Sequence, residues 1–142
     1  MITVRPAVAE DVDAVRPLAR DLATSYEVDP DAYATIFSGL VTEPSVVLLV
    51  ATDDGAVVGY LLGQRHVTFH AGGPVVWVEE VMVDDQRRGT GVGRALMEAA
   101  EERARTSGAA YVALATRRAA DFYAALGYRE SATYFKKALR DP

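Results

Sequence analysis

Between Arg87 and Arg94 the sequence reads RRGTGVGR, with Gly89, Gly91 and Gly93 on alternate positions and three arginines around them. Glycine weakens helices and strands, so three of them between a β-prone run and an amphipathic run need a reason. The first turn of a helix carries unpaired backbone N–H groups and a partial positive charge, which suits an anion. Glycines let the ligand come close and allow positive φ. With Arg87, Arg88 and Arg94 beside it, the natural guest is a phosphate or pyrophosphate. The plain alternative is a tight strand-to-helix turn that binds nothing.

Two common phosphate motifs are absent. A P-loop needs Gly-x4-Gly-Lys-Ser/Thr, and no such Lys-Ser/Thr follows here. A dinucleotide fingerprint needs Gly-x-Gly-x-x-Gly, but the sixth position from Gly89 is Arg94 and from Gly91 it is Leu96.

The elements that must position this turn can be read from periodicity. ITVRPA is a short strand stopped by Pro6. Val12, Val15, Leu18, Ala19 and Leu22 recur at helical spacing, with Pro17 expected to kink or split the helix. DPDAYATIFSGL predicts a second helix with Pro30 in its first turn. SVVLLVATDDGAVVGYLLGQRHV predicts a hairpin around Asp54-Gly55, and AGGPVV a loop. VVWVEEVMV, from Val75 to Val83, is a strand. After the turn, Val92, Ala95, Leu96, Ala99 and Ala100 make one apolar helix face that ends at Ser107-Gly108. AAYVALAT reads as a buried parallel strand, RAADFYAALGY as a short helix closed by Gly127, and ATYFKKAL as a last strand, with a further short strand around Tyr128 to Glu130. The strand–helix–strand unit from Val75 to Thr116 is a right-handed crossover with parallel strands. The expected fold is α/β (α+β): a mixed sheet of six to seven strands with about four helices on both faces.

The 142 residues fit one domain, 1–142, with enough apolar content for a core. There is no cysteine, and His66 and His70 are too few for a histidine-rich metal site, so no metal is expected. The start of the chain lacks the apolar core of a signal peptide, and the longest apolar run is far too short to span a bilayer. The chain reads as soluble and cytoplasmic, with no membrane partner. A formal net charge of −5 argues against nucleic acid as a partner and is compatible with a cationic substrate.

VEEVMVDDQRRGTGVGRAL resembles the acyl-CoA signature of the Gcn5-related N-acetyltransferase (GNAT) superfamily, Gln/Arg-x-x-Gly-x-Gly/Ala, met here by Gln86, Gly89 and Gly91. AADFYAALGYRE is similar to the family's helix ending in Tyr-x-x-x-Gly-Phe/Tyr, met by Tyr123, Gly127 and Tyr128. ITVRPA with Asp11 is similar to the family's opening strand and helix start. The order of elements matches along nearly the whole chain.

The resemblance implies a sheet splayed between its fourth and fifth strands to admit acetyl-CoA. The fourth strand, Trp77 to Val83, would carry a bulge. Backbone groups of Val81 and Val83, with Met82 between them, would pair with the pantetheine arm. The backbone N–H groups of Arg88, Gly89, Thr90, Gly91, Val92, Gly93 and Arg94 would cradle the pyrophosphate. Ala119 keeps the family pattern, and with Phe122 it would stand on the cofactor side of the tyrosine helix; Phe122 also reads as a core aromatic. Thr116 departs from the family's frequent Asn, which weakens any side-chain contact expected there.

Acetyl transfer to an amine needs a base for the ammonium, a donor for the oxyanion and an acid for the leaving thiolate. The acidic pair Glu79-Glu80 is similar to the pair found in polyamine and amino-sugar acetyltransferases of the superfamily. It implies Glu79 as base, directly or through water, with Glu80 as the runner-up because a bulge spoils strict face alternation. One of two adjacent residues normally faces away, so one glutamate is expected to be a bystander. The N–H of Val81 would serve the oxyanion and Tyr123 would be the acid. His66 and His70 could act as a base but read as exposed loop residues. Tyr26, Tyr33, Phe37 and Trp77 could line an acceptor pocket or simply pack.

The favoured reading is therefore an N-acetyltransferase acting on a small cationic amine. A non-catalytic acyl-CoA sensor, a protein N-terminal or lysine acetyltransferase, and an interaction protein with a purely structural turn remain as alternatives. Acceptor choice would rest on the first two helices and the 64–74 loop. Dimers are common in the superfamily, and ATYFKKAL could contribute to a homodimer.

Overall fold

The computed structural model describes residues 1–23 and 27–140. Five strands form one mixed sheet in the order β1 (Ile2–Pro6), β2 (Val46–Asp53), β3 (Ala56–Thr68), β4 (Gly73–Val83) and β5 (Val112–Leu114). The first four are antiparallel neighbours, and β4 and β5 are parallel, joined by α3 (Val92–Thr106) as the crossover. Asp54 and Gly55 turn the β2–β3 hairpin with φ of 50° and 85°, the double positive φ that a two-residue turn requires.

The two faces of the sheet carry separate cores. On one, Val92, Leu96, Met97 and Ala100 of α3 meet Leu49, Leu61 and Val78. On the other, Val15 and Leu18 of α1 (Val12–Leu22) and Phe37 of α2 (Pro30–Thr42) meet Leu48, Val50 and Tyr60. Each fully buried aliphatic side chain contributes about 1.5–3 kcal/mol to this layering. A helix on one face and two on the other agree with the sequence expectation.

Local signals explain the ends. Asp29 caps α2 by accepting from the Ala32 N–H at 3.1 Å, and Pro30 takes the position where its missing N–H costs nothing. Gly108, with φ of 80°, ends α3, and Gly127, with φ of 95°, ends α4 (Ala120–Ala125). Buried Asp11 ties the start of the first helical layer to β1. Arg5 Nη1 and Nη2 donate to its two oxygens at 2.8 and 2.9 Å, and the Val8 N–H donates at 2.8 Å.

Several expectations change. Among the described residues the sheet has five strands, not six or seven. Neither Tyr128–Glu130 nor ATYFKKAL joins it. In the latter, Lys136 and Lys137 put a charge on both faces of an extended chain, so neither face can be buried whole, and Phe135 and Leu139 are 87% and 93% exposed. Pro17 does not split α1, which runs through it. The 64–74 loop shrinks to a turn, because β3 reaches Thr68 and β4 starts at Gly73. The hairpin pairing continues from Gln64↔Trp77 to Thr68↔Gly73, which the glycines and Pro74 obscured in the sequence.

Candidate active site

Strand β4 is the axis of the site. Its parallel ladder to β5 covers only Val76↔Val112, Trp77↔Ala113 and Val78↔Leu114. Beyond Val78 the two strands part, as the splayed sheet requires. At the parting point the register with β3 jumps from Gly63↔Val78 to Leu62↔Glu80, so Glu79 is an extra, unpaired residue. This is a β-bulge, the device that re-aims side chains next to sites.

The bulge separates the two glutamates. Glu79 is exposed and lines a cleft of about 400 Å³ with Trp77, Thr116, Arg117, Tyr134 and Lys136. Glu80 points to the α1–α2 face and accepts from the Tyr60 hydroxyl at 2.6 Å. Tyr60 is 2% exposed. Burial, then the negative charge of Glu80 and the hydrogen bond to it, push the Tyr60 hydroxyl far above the ordinary tyrosine range. It is therefore a fixed donor to Glu80. Sequence reasoning missed Tyr60, although a tyrosine inside the apolar run VVGYLL needs a buried partner for its hydroxyl.

At the end of β4 the glycines divide into two kinds. Gly89 and Gly91 have φ of 76° and 94°, the left-handed region open to glycine, and a Cβ on either would meet nothing within 4 Å. Gly93 has ordinary backbone, but a Cβ there would lie 3.1 Å from the Phe122 ring. Two glycines shape the turn and the third lets α4 pack on α3. Gly91 is the N-cap of α3 and offers no side chain, and the first intrahelical bond is from Ala95 N–H to the Gly91 carbonyl. The N–H groups of Val92, Gly93 and Arg94 thus have no partner from within the helix. Asp84 accepts from Gln86 N–H and Thr90 donates to the Arg87 carbonyl, fixing the loop between strand and helix.

The arginines here are less free than the sequence suggested. Arg87 pairs with Asp53 at 3.3 Å, Arg88 with Asp85 at 3.1 Å and Arg94 with Glu98 at 3.4 Å. Arg88 and Arg94 are exposed, solvent-screened pairs that a more highly charged ligand can displace. The residues fit a pyrophosphate through backbone first, and the unpaired edge of β4 beyond Val78 is open to an extended pantetheine arm. Val81 and Val83 are half-buried there, while the Met82 side chain belongs to the core.

Tyr123 stands on α4 between two edge-on aromatic neighbours, Phe122 at 4.9 Å and Tyr128 at 5.9 Å between ring centroids. Burial raises its hydroxyl above the usual tyrosine value. Tyr128 is held by its hydroxyl, which donates to Glu101 of α3 at 2.7 Å. Thr116 Oγ1 accepts from the N–H of Ala119, the residue just before α4, at 3.1 Å, a local contact within the loop.

The remaining candidates sort themselves. Tyr33 donates to the Val12 carbonyl at 2.7 Å and packs on Phe37, and both are structural. Burial pushes the Tyr33 hydroxyl up to about 12. Trp77 lines the cleft. His66 lies exposed on β3 and His70 exposed on the turn after it, and neither lines the cleft. Tyr26 lies outside the described residues. Arg117, Tyr134 and Lys136 were not singled out in the sequence, because they lie far from β4 along the chain and meet Glu79 only in the cleft.

A splayed mixed sheet with a bulge at the split and a glycine turn closing its fourth strand defines an acyl-CoA-dependent acetyltransferase fold. The chain belongs to the acetyltransferase (GNAT) family, whose model matches residues 13–128. It is similar to an aminoalkylphosphonate N-acetyltransferase of Salmonella typhimurium, with 33% identity over 140 residues, covering 96% of this chain and 90% of that protein. Among solved structures, an aminoglycoside N-acetyltransferase in complex with CoA matches with a TM-score of 0.86 at 20% identity, over 99% of this chain and 95% of that one. A glucosamine-6-phosphate N-acetyltransferase from Arabidopsis thaliana matches with a TM-score of 0.86 at 18% identity, over 99% of both chains. At these identities the two structures attest the fold. The chain is an acetyltransferase of the GNAT type, and members of this family use acetyl-CoA.

Proposed function

We propose that the chain moves the acetyl group of acetyl-CoA onto the primary amine of a small acceptor in the β4–β5 cleft. The observation that carries this reading is the coincidence of three features on one strand: the end of the β5 ladder at Val78, the bulge at Glu79 and the glycine turn after Val83. Backbone from Arg88 to Arg94 holds the pyrophosphate, and the open edge at Val81–Val83 takes the pantetheine arm, with Ala119 and Phe122 beside it. Glu79 accepts a proton from the acceptor ammonium, directly or through one water. The freed amine attacks the thioester carbonyl, and the Val81 N–H stabilises the oxyanion. As the C–S bond breaks, the Tyr123 hydroxyl donates to the leaving sulfur.

The cleft holds two kinds of charge. Glu79 is set against Arg117 and Lys136. A polyamine has no use for the two cations. An amine that also carries an anionic group uses both ends, and guanidinium is well suited to phosphonate oxygens. The similarity to an aminoalkylphosphonate N-acetyltransferase supports the same choice. The small cationic amine expected from net charge thus becomes an amine with an anionic group, of which aminoalkylphosphonates are the leading class.

The test is calorimetric titration with acetyl-CoA and CoA, on wild type and Gly91→Asp, followed by a thiol-release assay on an acceptor panel. The panel holds aminoalkylphosphonates, amino acids, polyamines and amino sugars. Binding lost in Gly91→Asp and turnover highest with aminoalkylphosphonates supports the reading. Binding without turnover of any acceptor would favour an acyl-CoA sensor, and preference for polyamines would overturn the role of Arg117 and Lys136.

A further inference from the structure

A second cavity, of about 230 Å³, opens at the end of α3 that lies away from the glycine turn. The 15 residues of α3 separate the two ends by about 20 Å. Val41 of α2, Val47 and Leu49 of β2 and Val76 of β4 give it apolar walls. Arg65 of β3 and Arg103 of α3 supply its charge, and no Asp or Glu lines it. The acid at the end of α2, Glu43, is already engaged, accepting from the Ser45 hydroxyl at 3.0 Å.

Two guanidinium groups beside a cavity with no acidic lining residue are best complemented by a carboxylate. The chemistry of the walls narrows the ligand. Apolar side chains favour a short hydrocarbon body over a bare inorganic ion. The C-terminal end of α3, which carries partial negative charge, disfavours a dianion more than a monoanion.

We propose that this cavity is a second ligand site for a short-chain monocarboxylate. Its carboxylate meets Arg65 and Arg103, and its hydrocarbon end lies against Val47, Leu49 and Val76. The site is separate from the acyl-CoA cleft and does not depend on the acceptor assigned there.

Titration with butyrate, with inorganic phosphate at matched ionic strength as the comparison, tests it on the full chain saturated with CoA. Wild type should show saturable binding of butyrate and weaker binding of phosphate. Arg65→Met should weaken butyrate by about tenfold or more, the loss of one charge-assisted pair. Val47→Phe keeps both arginines but fills the cavity, and should weaken it as well. Unchanged CoA affinity in both variants would show that the fold is intact. No saturable binding by wild type, equal affinity in Arg65→Met, or phosphate binding as tight as butyrate would each overturn the proposal.

Discussion

The Tyr60 hydroxyl donates to Glu80 at 2.6 Å, while Glu79, one residue earlier, stands exposed in the cleft at a bulge. The two carboxylates therefore have different surroundings, and the proposed mechanism gives them different work. Glu79→Gln should lower kcat/KM by about 10²–10⁴ and remove the acidic limb of the pH–rate profile. Glu80→Gln should cost less than about tenfold and keep that limb, since an amide oxygen still accepts from Tyr60. Profiles of both variants decide the assignment, and the reverse order would make Glu80 the base.

Gly91 and Gly93 should fail in different ways when replaced by alanine. At Gly91 the left-handed backbone makes any side chain cost about 1–2 kcal/mol, with no clash to relieve. At Gly93 the methyl meets the Phe122 ring at 3.1 Å. Shrinking the ring, Phe122→Leu, should therefore restore part of the stability lost by Gly93→Ala and none of that lost by Gly91→Ala. Thermal unfolding of the single and double variants measures the coupling.

Tyr123→Phe keeps the ring between Phe122 and Tyr128 and removes only the hydroxyl. We expect unchanged stability, acetyl-CoA affinity within about twofold, and kcat lower by about 10²-fold. Because burial raises the hydroxyl, it stays protonated through the neutral range and remains able to donate. A loss of affinity with kcat unchanged would make Tyr123 a binding residue instead.

Asp11 links stability to pH. The Arg5 hydrogen bonds hold its carboxyl below the ordinary carboxylate value, against the opposing pull of burial. A lowered folded value means that the stabilisation is complete above the unfolded pKa, about 3.9, and is lost as pH falls through the folded value. Asp11→Asn should cost about 1–3 kcal/mol at neutral pH, and the gap to wild type should narrow below about pH 4. Denaturant unfolding at pH 7 and pH 3.5 reads both numbers.

Periodicity was enough for α1 and α3, because each buries a face of regular spacing, while Pro30 marked α2, Asp54-Gly55 marked the β2–β3 hairpin, and the strand–helix–strand order marked the parallel crossover. The glycine turn was legible because Gly89 and Gly91 must take positive φ, a demand few residues meet. The C-terminal strand was misjudged because alternation in TYFKKAL is broken by two adjacent lysines. The cleft was legible only on its β4 side. Glu79 and Trp77 share a strand and can be read together, but Arg117 and Lys136 come from separate segments 19 residues apart, and no local pattern joins them to Glu79. The Tyr60–Glu80 bond was hidden for the same reason, since register across β3 and β4 depends on a bulge.

That bulge makes Glu79 an insertion in an otherwise complete ladder. Without it, Val78, Glu80, Val81, Met82 and Val83 would face Gly63, Leu62, Leu61, Tyr60 and Gly59 in unbroken alternation, every core side chain on its present face. Deleting Glu79 would leave a tidier sheet whose remaining carboxylate, Glu80, is turned toward Tyr60 and away from the cleft. Architecture and the proposed reactivity are thus written in separable letters of β4: if Glu79 is the base, a chain of this design can gain or lose it by a single codon, without renegotiating the fold around it.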